Sequence, residues 1–306
     1  MSRAVCIGEC MVELAPAGAD LYRRGFAGDA FNTAVYLKRS APKLDVQFAT
    51  VTGADPLSRA MRQTWRAHGV GDALAAVDPD RRPGLYLIEL DAQRERSFHY
   101  WRGESAARGW ARHLATLAQD DALVGVELIY FSGISLAILT PEDRALAFEI
   151  LRGLRGRVRR IAFDPNLRPA LWADLGEARE AFETCVGFAD ILLPSLQDLQ
   201  LLWGEEDIER MARRLAALGA VEFAVTSGAE GCLVHHRGRS EWLPAPAVET
   251  VVDTSGAGDS FNGAYLAARL ARKSPIEAAR RGQAVAAYVV TQPGAIAAVQ
   301  PSGSAS

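Results

Sequence analysis

With 306 residues, 49% of them hydrophobic and 23% charged, the chain has an ordinary globular balance and enough length to bury a large core. A net charge of −3 gives no electrostatic case for nucleic acid or an anionic membrane as partner, and no apolar run approaches the roughly 20 residues that span a bilayer. The chain starts almost at once on Ala4-Val5-Cys6-Ile7-Gly8, with no signal-peptide pattern, and Cys6, Cys10, Cys185 and Cys232 form no CxxC pair. Reduced thiols and a cytoplasmic location are therefore expected.

Val5–Leu14 alternates and is β-rich, which predicts a first strand running past Gly8-Glu9. Gly25-Phe26-Ala27-Gly28-Asp29 reads as a glycine turn into a helix over Ala30–Arg39. Asp29 suits either of two roles: an N-cap, or a polar pair with Asn32 aimed at the hydroxyls of a ligand. Val46–Gly53 predicts a strand and Leu57–His68 an amphipathic helix. Next, Leu85–Leu90 and Arg96–Trp101 are β-patterned runs about a polar turn, Asp91-Ala92-Gln93-Arg94-Glu95. Such a hairpin cannot belong to a parallel sheet. Alternation puts Tyr100 and Arg102 on one face and Trp101 on the other, and Tyr86 can join the first face from the opposite strand. An aromatic-and-arginine face suits a lid over a polar anionic ligand, and its outer face is open to contact with a second copy.

From there strands and helices alternate steadily. Strands are predicted at Val126–Ser132, Val158–Phe163, Ile191–Pro194 and Phe223–Ser227, and Cys232–His235 follows the last of them. Helices are predicted at Pro141–Leu154, near Gly176–Phe188, after Glu205 and over Ile276–Val290; Pro301–Ser306 is a polar tail. This order means βαβ units, one α/β/α domain over residues 1–306 and a mainly parallel sheet. Ligands in such sheets bind outside the carboxyl ends of the strands. The clusters Gly8-Glu9, Asp164–Arg168, Ser195, Ser227–Gly231 and Gly256–Asp259 all follow predicted strands and can converge there.

The most informative stretch is Val251–Leu266, VVDTSGAGDSFNGAYL. Two valines are expected to end a strand, and Phe261, Ala264, Tyr265 and Ala268 make the buried stripe of a following helix. Gly256-Ala257-Gly258 then lies at a helix N-terminus, where main-chain N–H groups lack partners and the dipole attracts anions. Asp259 stands inside this cradle. Asp is common in a first helical turn, yet a carboxylate beside a phosphate site is repulsive unless it has a task, such as taking a proton from an attacking hydroxyl. The dipole leads one to expect Asp259 ionised at neutral pH.

The string Asp253-Thr254-x-Gly256-Ala257-Gly258-Asp259-x-x-x-Gly263-Ala264-Tyr265-Leu266 resembles the C-terminal signature of the ribokinase-like (PfkB) carbohydrate kinases. Ala27-Gly28-Asp29-Ala30-Phe31-Asn32-Thr33-Ala34 resembles their N-terminal signature, although Ala41 stands where the family has Gly or Ser. IGECMVEL, GLYLIEL, SFHYWR, SGISLAIL and FDPNLRPALW resemble the sub-group that acts on a 2-keto-3-deoxy sugar acid. The resemblance implies a three-layer fold whose small β lid comes from about 9–27 and 84–103. It also implies transfer of the γ-phosphoryl of ATP to the acid's 6-hydroxyl with Mg²⁺; the sequence leaves open whether a monovalent ion such as K⁺ assists, and the outer face of the lid suits a homo-oligomer formed through it. Gly28, Asp29, Asn32, Tyr86, Tyr100, Trp101, Arg102, Arg168 and Asp259 would then contact substrate. Asn166, Arg168, Ser195, the loop Thr226, Ser227, Gly228, Ala229, Glu230 and Gly231, and the cradle Gly256, Ala257, Gly258 and Asp259 would contact ATP. Asp259 would be the base, and the cradle would hold the developing charge.

Arg102 is the natural planar partner for a substrate carboxylate, and Arg168 serves either the transferring phosphate or an ion pair with Asp164. Where the family organises Mg²⁺ with Asn and Glu three apart, this chain has Ser195 and Asp198, which leaves Asp198 to act through water. The alternatives are a kinase of fructose or another neutral sugar, and a non-catalytic sugar-binding protein. P-loop, dinucleotide, GxSxG and HExxH motifs are absent, and His68, His99, His113, His235 and His236 lack ligand spacing and are expected to face solvent.

Overall fold

The computed structural model describes residues 2–18, 20–90 and 96–298. The turn expected at Asp91–Glu95 and the tail Pro301–Ser306 lie outside the described residues. The chain opens with β1 (Arg3–Ile7), β2 (Met11–Gly18), β3 (Leu21–Ala27), α1 (Asp29–Ser40), β4 (Asp45–Gly53), α2 (Pro56–Ala67) and β5 (Ala75–Asp78). Next come β6 (Leu85–Leu90), β7 (Arg96–Trp101), α3 (Trp110–Gln119), β8 (Leu128–Ser132), the short α4 (Gly133–Ala137), α5 (Pro141–Gly153) and β9 (Ile161–Asp164). The second half carries α6 (Leu175–Val186), β10 (Ile191–Leu192), α7 (Leu196–Trp203), α8 (Ile208–Ala217) and β11 (Glu222–Thr226). It ends with β12 (Gly231–His236), β13 (Arg239–Pro244), α9 (Ala257–Leu270) and α10 (Pro275–Val289).

Among the described residues, nine strands form one sheet in the order β13-β12-β11-β10-β9-β8-β1-β4-β5. Its pairs are parallel from β11 through β5, and β12 and β13 run antiparallel at one edge. Alternation along the central strands feeds two cores. Val5, Ile7, Ile129, Phe131 and Phe163 pack under α3, α5, α6, α7 and α8. Ala4, Cys6, Phe48, Tyr130 and Ala162 pack under α1, α2, α9 and α10. Burying both faces of a parallel sheet in this way gives three layers. The stripe Phe261, Ala264, Tyr265 and Ala268 is buried as its spacing requires.

A second sheet of four strands, in the order β3-β2-β6-β7, stands apart from the first. The predicted first strand is therefore two strands in two sheets. β1 pairs with β4 and β8, whereas β2 pairs with β3 and β6. Both halves alternate alike, so period-2 patterning carries no mark of the change of sheet. Gly25, expected in a turn, lies within β3 opposite Glu13, and the turn into α1 falls at Gly28. The strand expected to end at Val251-Val252 does not form. These valines are exposed, and the N–H groups of Val252 and Asp253 both donate to Val290 O at the end of α10. With no neighbouring strand to receive them, β-branched residues alone do not make a strand. The four cysteines are free and buried. His235 departs from the expected exposure: it is buried, stacks on Phe223 at 4.5 Å, and sits 2.9 Å from Ser240 Oγ.

Candidate active site

Most helices of this chain carry a side-chain cap: Asp55, Ser132, Thr140, Asp174, Ser195, Asp207 and Ser274 each satisfy first-turn N–H groups. Helices α1 and α9 instead start at Gly28 and Gly256 with no side-chain cap. Helix α3 also lacks one, but it continues from a 3₁₀ turn. At α9 the Ala257 N–H donates to Thr254 O at 3.2 Å, while no side chain caps the remaining first-turn N–H groups, an arrangement that suits an anion. Gly256 sits at φ 74°, and a Cβ there would lie 2.3 Å from Ala295 O. Only glycine fits that turn.

Helices α1 and α9 approach face to face. A Cβ built at Gly263 would fall 2.6 Å from both Leu37 N and Tyr36 Cβ, so the missing side chain lets the two backbones meet. One turn back from Gly263, Asp259 Oδ2 accepts a hydrogen bond from Asn32 Nδ2 at 2.8 Å. Asn166, held at φ 32° in the loop after β9, donates to Asp29 Oδ2 at 3.0 Å. Its own N–H donates to Asp164 Oδ1 at 2.9 Å, and Asn262 on α9 donates to Asp164 Oδ2 at 2.8 Å. Asp29, Asn32, Asn166 and Asp259 thus meet where α1, α9 and the end of β9 converge.

Burial is the main influence on Asp259 and Asp29 adds to it, and together they push its carboxyl up to about 7. The Asn32 hydrogen bond and the Arg168 charge oppose this incompletely. The expectation of an Asp259 acidified by the dipole is therefore corrected: desolvation and a second carboxylate outweigh the helix end. Asp164 is pushed well above the usual range by burial and by the carboxylates of Asp198, Asp259 and Asp29. Arg168 is exposed, donates to Leu167 O at 2.9 Å, and forms no ion pair with Asp164.

Asp198, expected to act toward a metal, is engaged as a cap. Its carboxylate accepts from Ser195 N at 3.1 Å, Ser195 Oγ at 2.7 Å and Leu167 N at 2.8 Å. Among the described residues no group of three or more His, Cys, Asp or Glu side chains could cage a metal ion. Thr226, at the end of β11, bonds to Pro194 O, so the loops after β9, β10 and β11 lie side by side. Ser227–Gly231 is a tight turn: Ser227 N donates to Gly231 O at 2.8 Å, and Ser227 Oγ to Glu230 Oε2 at 2.7 Å. Gly228 and Gly231 have positive φ, and Ala229 lies between them.

In the small sheet, Glu13 lies opposite Tyr86, and Tyr86 opposite Tyr100. Tyr86 donates to the Glu13 carboxylate, and its ring is 5.8 Å from that of Tyr100. The Arg102 guanidinium lies 5.9 Å from the Tyr100 ring. Trp101 points to the opposite face and is 61% exposed. Arg102 is not free as the sequence suggested, because it forms an ion pair with the buried Glu9. Arg102 Nε and Glu9 Oε1 are both buried without a hydrogen-bond partner.

Sequence reasoning placed Glu9 and Asp164 among the clusters that converge here but gave them no partners of this kind, and it missed Asn262 and Arg96. Asn262 was findable, since it follows Asp259 by three positions and so shares its helix face. Arg96 lies two pairs of positions before Tyr100, on the same strand face. The Glu9–Arg102 pairing spans 93 positions and has no local signal.

A family model for pfkB family carbohydrate kinases matches residues 1–302. The chain is 41% identical over 296 residues to a 2-dehydro-3-deoxygluconokinase of Dickeya dadantii (strain 3937), covering 95% of each chain. It is 40% identical over 303 residues to the 2-dehydro-3-deoxygluconokinase of Escherichia coli (strain K12), covering 97% of each. A double-mutant fructokinase of Vibrio cholerae O395, solved in fructose, ADP and potassium ion bound form, superposes with a TM-score of 0.82 at 27% identity. That match covers 97% of this chain and 94% of the other.

Proposed function

The chain belongs to the pfkB family of carbohydrate kinases, and from the geometry above we propose how it phosphorylates 2-keto-3-deoxygluconate. The reaction transfers the γ-phosphoryl of ATP to the 6-hydroxyl of the sugar acid, giving 2-keto-3-deoxy-6-phosphogluconate. The observation that carries the residue assignment is the Asn32–Asp259 bond, which sets a carboxyl of near-neutral pKa at the uncapped end of α9.

Asp259 takes the proton of the acceptor hydroxyl, because a carboxyl poised near 7 can be ionised before transfer and still hold a proton after it. Asn32 fixes the rotamer of Asp259. Gly28, Asp29 and Asn32 face the sugar from α1. The N–H groups of Gly256 and Gly258 receive the charge that grows on the transferring group, where positioning and charge stabilisation supply most of the rate, and Ala257, whose N–H donates to Thr254 O, holds the turn between them. Asn166, Arg168, Ser195 and the Thr226–Gly231 loop hold the nucleotide. Asp198 serves as the cap that braces Ser195 and Leu167. Mg²⁺ would be held here chiefly through the phosphates of ATP, since no protein cage for it exists among the described residues, and would neutralise their charge; K⁺ would be an assisting ion.

The small sheet is the lid. Tyr86, Tyr100 and Arg102 on its inner face contact the sugar acid. Arg102 keeps further N–H donors beside the one that Glu9 accepts, so it offers the carboxylate a partner within a neutral ion pair. The exposed Arg168 is the second candidate partner for that carboxylate. Trp101 on the outer face serves self-association, consistent with a homo-oligomer built through the lid in the cytoplasm. An ADP-release assay across sugar acids and neutral sugars tests the reading: turnover confined to 2-keto-3-deoxy acids supports it, and equal rates on fructose overturn the acid preference. Repeating the assay with chelator, and with sodium in place of potassium, tests the two ions.

A further inference from the structure

Arg96 opens β7 and shares its face with Phe98, Tyr100 and Arg102, the face assigned above to the sugar acid. Its guanidinium reaches out of the small sheet to the turn before α9. Nη1 donates to Asp253 Oδ1 at 2.8 Å and to Ser255 Oγ at 2.9 Å, and Nη2 lies 2.7 Å from Asp253 Oδ2. This is a two-pronged guanidinium–carboxylate pair, the geometry that gives such contacts direction as well as strength. The Asp253 side chain is only 4% exposed.

Asp253 is also what shapes the cradle turn. The same carboxylate accepts from Ser255 N at 3.0 Å and from Gly294 N at 2.6 Å. The second bond ties the turn to the segment whose Ala295 carbonyl abuts Gly256. That carbonyl in turn accepts from Tyr36 Oη on α1 at 2.9 Å. One buried carboxylate therefore joins the lid strand, the first turn of the phosphate cradle and the loop beneath it.

We propose that Arg96 is a positioning residue that clasps the lid to the phosphate cradle, so that seating the lid on the sugar acid and ordering the cradle for the γ-phosphoryl are one event. The inference rests on the reading of the small sheet as a lid and of Gly256–Gly258 as the phosphate site. Its consequence is energetic coupling between the two substrates: each binds more tightly with the other present, by way of contacts that neither ligand makes. It also gives the enzyme a means to leave ATP unhydrolysed until the acceptor has brought the lid down.

The test uses Arg96→Ala and Arg96→Lys in the full-length enzyme, with thermal melts to verify folding. Hydrogen exchange needs no assumption about the substrate. In Arg96→Ala the amides of Ser255, Ala257 and Gly294 exchange severalfold faster than in the parent, as do those of β7, while the central sheet is unchanged. In steady-state kinetics KM rises for the sugar acid and for ATP alike, by about tenfold, and kcat falls by less. Arg96→Lys keeps the charge without the two-pronged geometry and recovers part of both effects. Unchanged exchange at Ser255 and Gly294 overturns the clasp, and so does a KM change confined to one substrate or absent for both. Failure of the parent enzyme to turn over any sugar acid counts against the proposed substrate, while the exchange result still judges the clasp.

Discussion

Asn32 on α1 donates its Nδ2 hydrogen to Asp259 Oδ2 on α9 at 2.8 Å, across 227 positions of sequence. The bond joins the residue expected to touch the sugar to the residue expected to take its proton. It also leaves the other oxygen of Asp259 free for the acceptor hydroxyl.

Asp259→Asn keeps the bond to Asn32 but cannot accept a proton, so kcat falls by about 10³-fold or more. The same change stabilises the protein. The Asp259 carboxyl holds its proton more tightly folded, at about 7, than unfolded, so ionisation costs stability as pH rises through that interval. At pH 8 the variant is expected to melt later, by an amount equivalent to about 1–3 kcal/mol. At pH 4, where the parent carboxyl is protonated when folded, the advantage disappears. Retained turnover removes Asp259 from the mechanism.

The pH profile of kcat/KM reports the same group. A base must be ionised to act, so activity climbs with pH through about 7 and levels off above it. Asp29 raises that pKa by its charge, so in Asp29→Asn the rising limb moves to lower pH. A limb that stays in place separates Asp29 from the electrostatics of the base.

Gly263→Ala places a methyl group 2.6 Å from Leu37 N and Tyr36 Cβ. The helices must part, at a cost of about 1–3 kcal/mol, and the Asn32–Asp259 bond lengthens with them. The expected signature is a loss in kcat larger than any change in the KM for ATP, alongside a lower melting temperature. Parental kcat at reduced stability shows that the spacing of the two helices is not what sets the base.

Arg102→Ala strands the Glu9 carboxylate, which is 1% exposed, so the variant loses about 3–5 kcal/mol of stability. Its KM rises for the sugar acid far more than for a neutral sugar. Arg168→Ala removes an exposed side chain and leaves stability within about 0.5 kcal/mol. If the acid-specific KM effect follows Arg168 rather than Arg102, the carboxylate is read from the body and not from the lid.

Asp29, Asn32, Asn166 and Asp259 were each legible in the sequence, since each follows a glycine or loop signal at the edge of a periodic element. Val251-Val252 misled because strand formation depends on a neighbour, and the neighbour here is the carbonyl of Val290. Ser195 and Asp198 were legible as a departure from the family, but not as a capping box whose carboxylate also holds Leu167. The acidity of Asp259 was misjudged because the helix end is a local feature, whereas Asp29 and burial come from elsewhere in the chain.

The sequence by itself determined the layered α/β architecture, the hairpin strands and the glycine start of α9 with Asp259 in its first turn. Periodicity, turn chemistry and helix-end signals act over a few residues, and a linear reading captures them. Only the tertiary structure decided that Glu9 neutralises Arg102, that Asp259 is raised toward neutrality, and that Arg96 grips Asp253. These depend on charges and burial that arise when distant segments meet, and Coulomb and desolvation energies follow distance in space rather than in sequence.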